Sequence, residues 1–162
     1  MDDGAGERFE SEPFTVRPEW IDSNGHLNLA YYILLFDEAT DALWRSLGLG
    51  DAFRAAGFGT FAVETHTLYR AELLEGETVA VASSVVGADD KRLHVAHEMR
   101  RMRDGAVSAQ QELLYLCVSL ETRRATPWPE AMARTLAARR GAAPEWAGRR
   151  VAMPSRGAIS PS

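Results

Sequence analysis

At 162 residues, 46% hydrophobic and with a net charge of −5, the chain reads as one domain with a sizeable core. The acidic balance argues against a nucleic-acid partner, and no stretch approaches the roughly 20 apolar residues of a membrane span. The single cysteine, Cys117, excludes an intrachain disulfide and fits a reducing, cytoplasmic setting.

Residues 1–12 are acidic, offer little to bury and lack the basic and apolar regions of a secretory signal, so a mobile tail is expected there. Residues 14–17 read as a short strand ended by Pro18. The turn that follows, Asp22-Ser23-Asn24-Gly25, is rich in the residues that tight turns select. Residues 29–36 are all apolar or aromatic, and Ala39, Leu43 and Leu47 continue their stripe at helical spacing. Asn28 suits the N-cap and Gly48 the stop. A helix apolar all round at its start is expected to be buried all round there.

Four strands follow. Residues 60–73 alternate, with Phe61, Val63, Thr65, Thr67 and Tyr69 on one face and Glu64, His66 and Arg70 on the other. Residues 78–86 and 92–103 are the next two strands, and Asp104-Gly105 marks a hairpin. Residues 106–120 form the longest strand, whose apolar centre is expected in the middle of the sheet. A short helix over 130–140 precedes a Pro-, Gly- and Arg-rich extended tail. The order predicts an α+β fold: a curved antiparallel sheet wrapped around one long central helix. The domain proper is placed at 13–129, between the tails 1–12 and 130–162.

The chemistry concentrates at residues 22–28, where a carboxylate, two amides, an imidazole and a glycine precede a helix start. Helix N-terminal amides are unpaired and carry partial positive charge, so they can hold an oxyanion, and a nearby carboxylate can attack or activate water. Composition alone leaves open that Asp22 and Asn24 only build the turn. Glu64 and His66, two apart on a strand, are either a polar pair in a cleft or a solvated face. Trp20, Tyr31, Tyr32 and Trp44 put aromatic rings near the turn, where they serve either as core or as a surface for a quaternary ammonium group. Residues 57–62 match a dinucleotide-binding string by letters but precede a strand, which rules that reading out. His94 and His97 face opposite ways on their strand, so no metal site is expected. Cys117, in the most apolar strand, reads as inert.

The run Trp20-Ile21-Asp22-Ser23-Asn24-Gly25-His26-Leu27-Asn28, followed by Tyr32 and Phe36-Asp37-Glu38-Ala39, resembles the opening of hot-dog-fold thioesterases of the 4-hydroxybenzoyl-CoA thioesterase type. Glu64-Thr65-His66 with Tyr69, Leu74-Glu75-Gly76-Glu77 with Val79, and Ser108-Ala109 with Glu112 resemble later parts of it in the same order. With Asp89-Asp90-Lys91-Arg92-Leu93-His94 included, the chain is most similar to betainyl-CoA thioesterase-like members linked to carnitine breakdown. The resemblance implies a hot-dog fold and a homodimer or homotetramer with active sites across a subunit interface. It implies hydrolysis of an acyl-CoA, with coenzyme A entering as part of the substrate and no separate cofactor. Asp22 falls on the catalytic carboxylate, backbone amides near Asn28 and Leu29 hold the thioester carbonyl, and His26 and Asn28 shape the site. Asn24, Gly25, Leu29, Tyr32, Glu64 and His66 are the substrate-binding candidates. Leu29 stands where family members often repeat Asn, a change that a backbone donor tolerates. The rival readings are a hot-dog hydratase, whose only acid and imidazole pair is Glu64 with His66, and a non-catalytic acyl-CoA-binding module.

Overall fold

The computed structural model describes residues 8–148. Its elements in chain order are β1 (Phe9–Glu10), β2 (Phe14–Thr15), a 3-10 turn (Pro18–Trp20), α1 (Leu29–Leu47), α2 (Asp51–Ala55), β3 (Phe58–Tyr69), β4 (Thr78–Ala88), β5 (Arg92–Arg101), β6 (Val107–Ser119) and α3 (Glu130–Ala138). The strands form one antiparallel sheet in the order β1-β4-β5-β6-β3, with β2 also on β4. A sheet of that order curled on one long helix is the predicted hot-dog architecture. No helix is long and apolar enough to cross a membrane among the described residues.

The ends of α1 follow from its sequence. Asn28 Oδ1 accepts from the Ala30 N–H at 3.0 Å, and Gly48 closes the helix in the left-handed region at φ +80°. Tyr32, Leu35, Phe36, Ala39, Leu43, Trp44 and Leu47 are buried along one side. They join two cores, one around Val16, Leu27, Leu73, Val79, Val81 and Met99, the other around Phe53, Leu93, Val95, Tyr115 and Trp128. Each fully buried aliphatic or aromatic side chain contributes about 1.5–3 kcal/mol from water exclusion.

Four expectations change. The helix start is not buried all round: Leu29 is 63% exposed and Ile33 and Leu34 are also open, because the single sheet covers only one side of α1. The middle of the sheet is β5; β6 lies between it and the edge strand β3, since the β4-β5-β6 hairpins place β5 first. A bulge between Ala62 and Glu64 leaves Val63 without a partner and reverses the alternation of β3. Thr65, Thr67 and Tyr69 therefore share the helix side with Ala62, while Phe61 shares the outer side with Glu64 and His66. Within the segment read as a tail, Phe9–Glu10 pair with Ser83 and Ala82, and Ser11 exchanges two hydrogen bonds with Val81. Beyond Gly148 the expected C-terminal extension lies outside the described residues, as do residues 1–7.

One buried polar contact ties helix to sheet. Thr40 Oγ1 donates to Phe36 O at 2.8 Å, so toward His97 Nε2, 3.1 Å away, it must accept. His97 therefore carries its proton on Nε2, and Nδ1 accepts from Ser83 Oγ at 2.8 Å. Complete burial pulls this imidazole down to about 3, which keeps it neutral.

Candidate active site

The Asp22 turn is built by its own backbone. The Asp22 N–H donates to His26 O and the Gly25 N–H to Asp22 O, each at 3.0 Å, and Ile21 bridges Leu27. Asp22 Oδ1 accepts from the Asn24 N–H at 2.8 Å, a local bond that fixes the carboxylate and leaves its second oxygen for other work. Gly25 sits at φ +82°, where a side chain would be strained. Leu27 then plugs into the core, its N–H on Leu73 O at 2.7 Å. The turn is thereby held at both ends, and Asp22, His26 and Asn28 are half-buried beside the helix start.

At that start the amides are not equivalent. The Asn28 N–H is taken by Trp20 O at 2.9 Å, and the Ala30 N–H by the Asn28 side chain. The Tyr31 N–H donates to Asn28 O. The Leu29 N–H has no acceptor among the described residues, and Leu29 itself is exposed. Of the two amides the sequence pointed to, Leu29 is therefore the one open to a substrate oxygen. Asn28 acts instead as the cap that orients it.

Asp22, Asn24, Gly25, His26, Asn28 and Leu29 are thus brought together. Tyr32 is next to them in sequence but faces inward, buried, its hydroxyl donating to Ala71 O at 3.2 Å. Burial pushes that phenol up to about 12. Its role is packing. Trp20 and Tyr31 stack at 5.3 Å, with the Arg17 guanidinium 5.0 Å over Trp20, while Trp44 is core against Tyr115.

Glu64 and His66 do not join the turn. The register pairs His66 with Glu112, on the side of the sheet away from α1. There His66 Nδ1 lies 3.2 Å from Glu112 Oε1, and His94 Nε2 lies 2.8 Å from Glu112 Oε2. The Gly148 N–H also donates to Glu112 Oε2. This cluster was missed because it depends on the register of three strands. Tyr69 was missed as a support for the site: its hydroxyl reaches Leu29 O at 3.4 Å and its ring meets Tyr32 edge-on. The available signal was its place in the stretch Glu64-Thr65-His66 with Tyr69, which already carried the resemblance. Among the described residues no three His, Cys, Asp or Glu side chains are arranged to hold a metal ion.

The sequence model of the thioesterase-like superfamily matches residues 16–136, a span that includes the turn, α1 and the whole of β3 to β6. The chain belongs to the thioesterase-like superfamily. Within it, the chain is 39% identical to the betainyl-CoA thioesterase of Pseudomonas aeruginosa over 145 residues, 86% of this chain and 91% of that one. It is 36% identical to an L-carnitine dehydrogenase/betainyl-CoA thioesterase of Agrobacterium fabrum, matching 75% of this chain but spanning only 25% of that longer protein. A Staphylococcus aureus protein solved in complex with CoA superposes with a TM-score of 0.82 at 27% identity, over 95% of this chain and all of that one. A putative thioesterase from Pseudomonas putida KT2440 superposes at 0.76 and 31% identity, over 92% and 99%. This thioesterase-like fold thus presents, at the start of its long helix, a carboxylate and an open amide.

Proposed function

We propose that the chain hydrolyses an acyl-CoA thioester to the free acid and CoA, with a betainyl- or carnitine-related acyl group as the first substrate to test. The observation that carries the reading is the pairing, in one rigid turn, of a fixed Asp22 carboxylate with the unpaired Leu29 N–H at the N-terminus of α1. The thioester carbonyl accepts from Leu29 N–H and feels the positive end of the helix. Asp22 then either takes a proton from an attacking water or attacks the carbonyl itself. The tetrahedral oxyanion collapses, the C–S bond breaks, and the CoA thiolate takes up a proton; on the covalent route a water then hydrolyses the acyl–Asp22 anhydride, releasing the free acid and restoring the carboxylate. A thioester is activated enough for a carboxylate and an oxyanion donor to suffice. His26 and Asn28 hold the turn and the helix start in register; Asn24 and Gly25 border the site.

We infer further that the unit is a homodimer or a higher assembly of dimers. β3 is an edge strand, and the apolar residues Leu29, Ile33 and Leu34 of α1 and Phe61 and Val63 of β3 are exposed. Open edges and apolar faces of this kind seek a partner. A second copy there would wall the space beside the helix start.

Thiol release measured across short, aromatic, long and quaternary-ammonium acyl-CoAs tests the reading. Release of free CoA from at least one of them supports it. Binding of acyl-CoA with no thiol released from any would make the chain a binding module.

A further inference from the structure

We propose that His26 is the proton carrier of the site: its imidazole protonates the CoA sulfur as the C–S bond breaks. This rests on the thioesterase reading above and gives the reaction a second catalytic residue beside Asp22.

The placement of His26 follows from the hydrogen bonds of the turn. The Gly25 N–H donates to Asp22 O and the Asp22 N–H to His26 O, each at 3.0 Å, with Gly25 at φ +82°. That pattern is a tight turn closed by a one-residue bulge at Gly25, so Asp22 stands opposite His26. Next to them Ile21 bridges Leu27, and the Asn28 N–H donates to Trp20 O at 2.9 Å. In such a ribbon successive side chains alternate between two faces, and opposite residues share one. Leu27 goes into the core. Asp22, His26 and Asn28 therefore share the other face, which leads into the helix start.

The backbone of His26 holds the turn, but its imidazole is uncommitted. Neither ring nitrogen has a hydrogen-bond partner among the described residues, although His26 is half-buried. Asp22 uses one oxygen on the Asn24 N–H and does not bond the ring. The other three imidazoles are engaged elsewhere: His97 between Thr40 and Ser83 in the core, His66 and His94 on Glu112 across the sheet. Two tyrosines near the helix start are occupied as well, Tyr32 on Ala71 O and Tyr69 on Leu29 O, and burial holds both phenols above their ordinary value. A histidine is the side chain suited to give and take a proton near neutral pH, and His26 is the one on the Asp22 face.

The reaction needs such a group. A carboxylate, whose acid titrates at about 3.9, leaves a tetrahedral intermediate more readily than an alkyl thiolate, whose thiol titrates at about 8.5. After attack by Asp22 the intermediate would fall back to the thioester unless a proton reached the sulfur. The His26 imidazolium gives that proton as the C–S electron pair moves onto sulfur. This leaves a neutral imidazole, the acyl–Asp22 anhydride and the CoA thiol. Water then attacks the acyl carbon and the imidazole takes its proton. The free acid leaves, with Asp22 a carboxylate and His26 an imidazolium again. If Asp22 acts on water as a base instead, it ends protonated and returns that proton to His26 on the same face.

The test compares an acyl-CoA that the wild type hydrolyses with the same acyl ester of seleno-CoA, on the full chain. A selenol is a far stronger acid than a thiol, so the selenolate departs without a proton. His26→Gln should lower kcat on the thioester about 100-fold with KM little changed, and on the selenoester less than about tenfold. His26→Asn, a second uncharged replacement, should repeat that pattern. Near-normal kcat of either variant on the thioester would overturn the assignment. So would an equal loss on both esters, which is what a damaged turn produces. A wild type that releases thiol from no acyl-CoA would refute the thioesterase reading and this proposal together. A wild type that hydrolyses while His26→Gln keeps pace with it refutes the role of His26 alone.

Discussion

Protonation of His97 sets a stability-against-pH signature that can be worked out from the structure. The imidazole is fully buried between Thr40 and Ser83, stacked on Phe36, and pulled down to about 3. In the unfolded chain it titrates near 6.5. Between those values the unfolded state binds the extra proton, so stability is fully present above pH 6.5 and falls as pH drops toward 3. From pH 8 to pH 5 this one group should remove about 2 kcal/mol, at 1.36 kcal/mol per pH unit below the unfolded value. Urea unfolding of the wild type and of His97→Gln at both pH values isolates it. The carboxylates contribute to both proteins, so the difference between their pH dependences is the His97 part. If the variant does not fold, the imidazole resonances of the wild type provide the check: His97 should not titrate between pH 8 and pH 5. An identical pH dependence in the two proteins, or a His97 titration in that range, would refute the buried-neutral assignment.

Two further outcomes follow from the same geometry. Asn28→Ala removes the side-chain acceptor for Ala30 N–H and should lower stability by about 1 kcal/mol in denaturant unfolding. Cys117 is fully buried and burial pushes its thiol up to about 11, so a thiol reagent at pH 8 should leave the folded protein unmodified and label it only on unfolding.

Much of the fold was legible because local signals agreed. Asn28 and Gly48 bracket α1 where capping chemistry places them, and the Asp104-Gly105 hairpin separates two strands of clear alternation. The grouping of Asp22, Asn24, His26 and Asn28 was legible for the same reason: the turn is made of contiguous residues. What failed to show was non-local. The Ala62–Glu64 bulge reverses which residues of β3 face the helix, and nothing in the alternating letters marks it. The His66–Glu112–His94 contacts need three strands in register. The exposure of Leu29, Ile33 and Leu34 reflects how much of α1 one sheet can cover, a property of tertiary geometry that periodicity does not carry. The difference between the Asn28 and Leu29 amides was likewise hidden, because it turns on a single bond to Trp20 O.

The assignment of the chemistry to Asp22 is tested most directly by kcat of Asp22→Asn on whichever acyl-CoA the wild type hydrolyses. The substitution keeps the side-chain oxygen that accepts from Asn24 N–H, so the turn is retained, and removes the charge. If the carboxylate acts in the transition state, kcat falls by about 100-fold or more while KM changes little. A variant with near-normal kcat would contradict the mechanism and leave Asp22 as a turn residue.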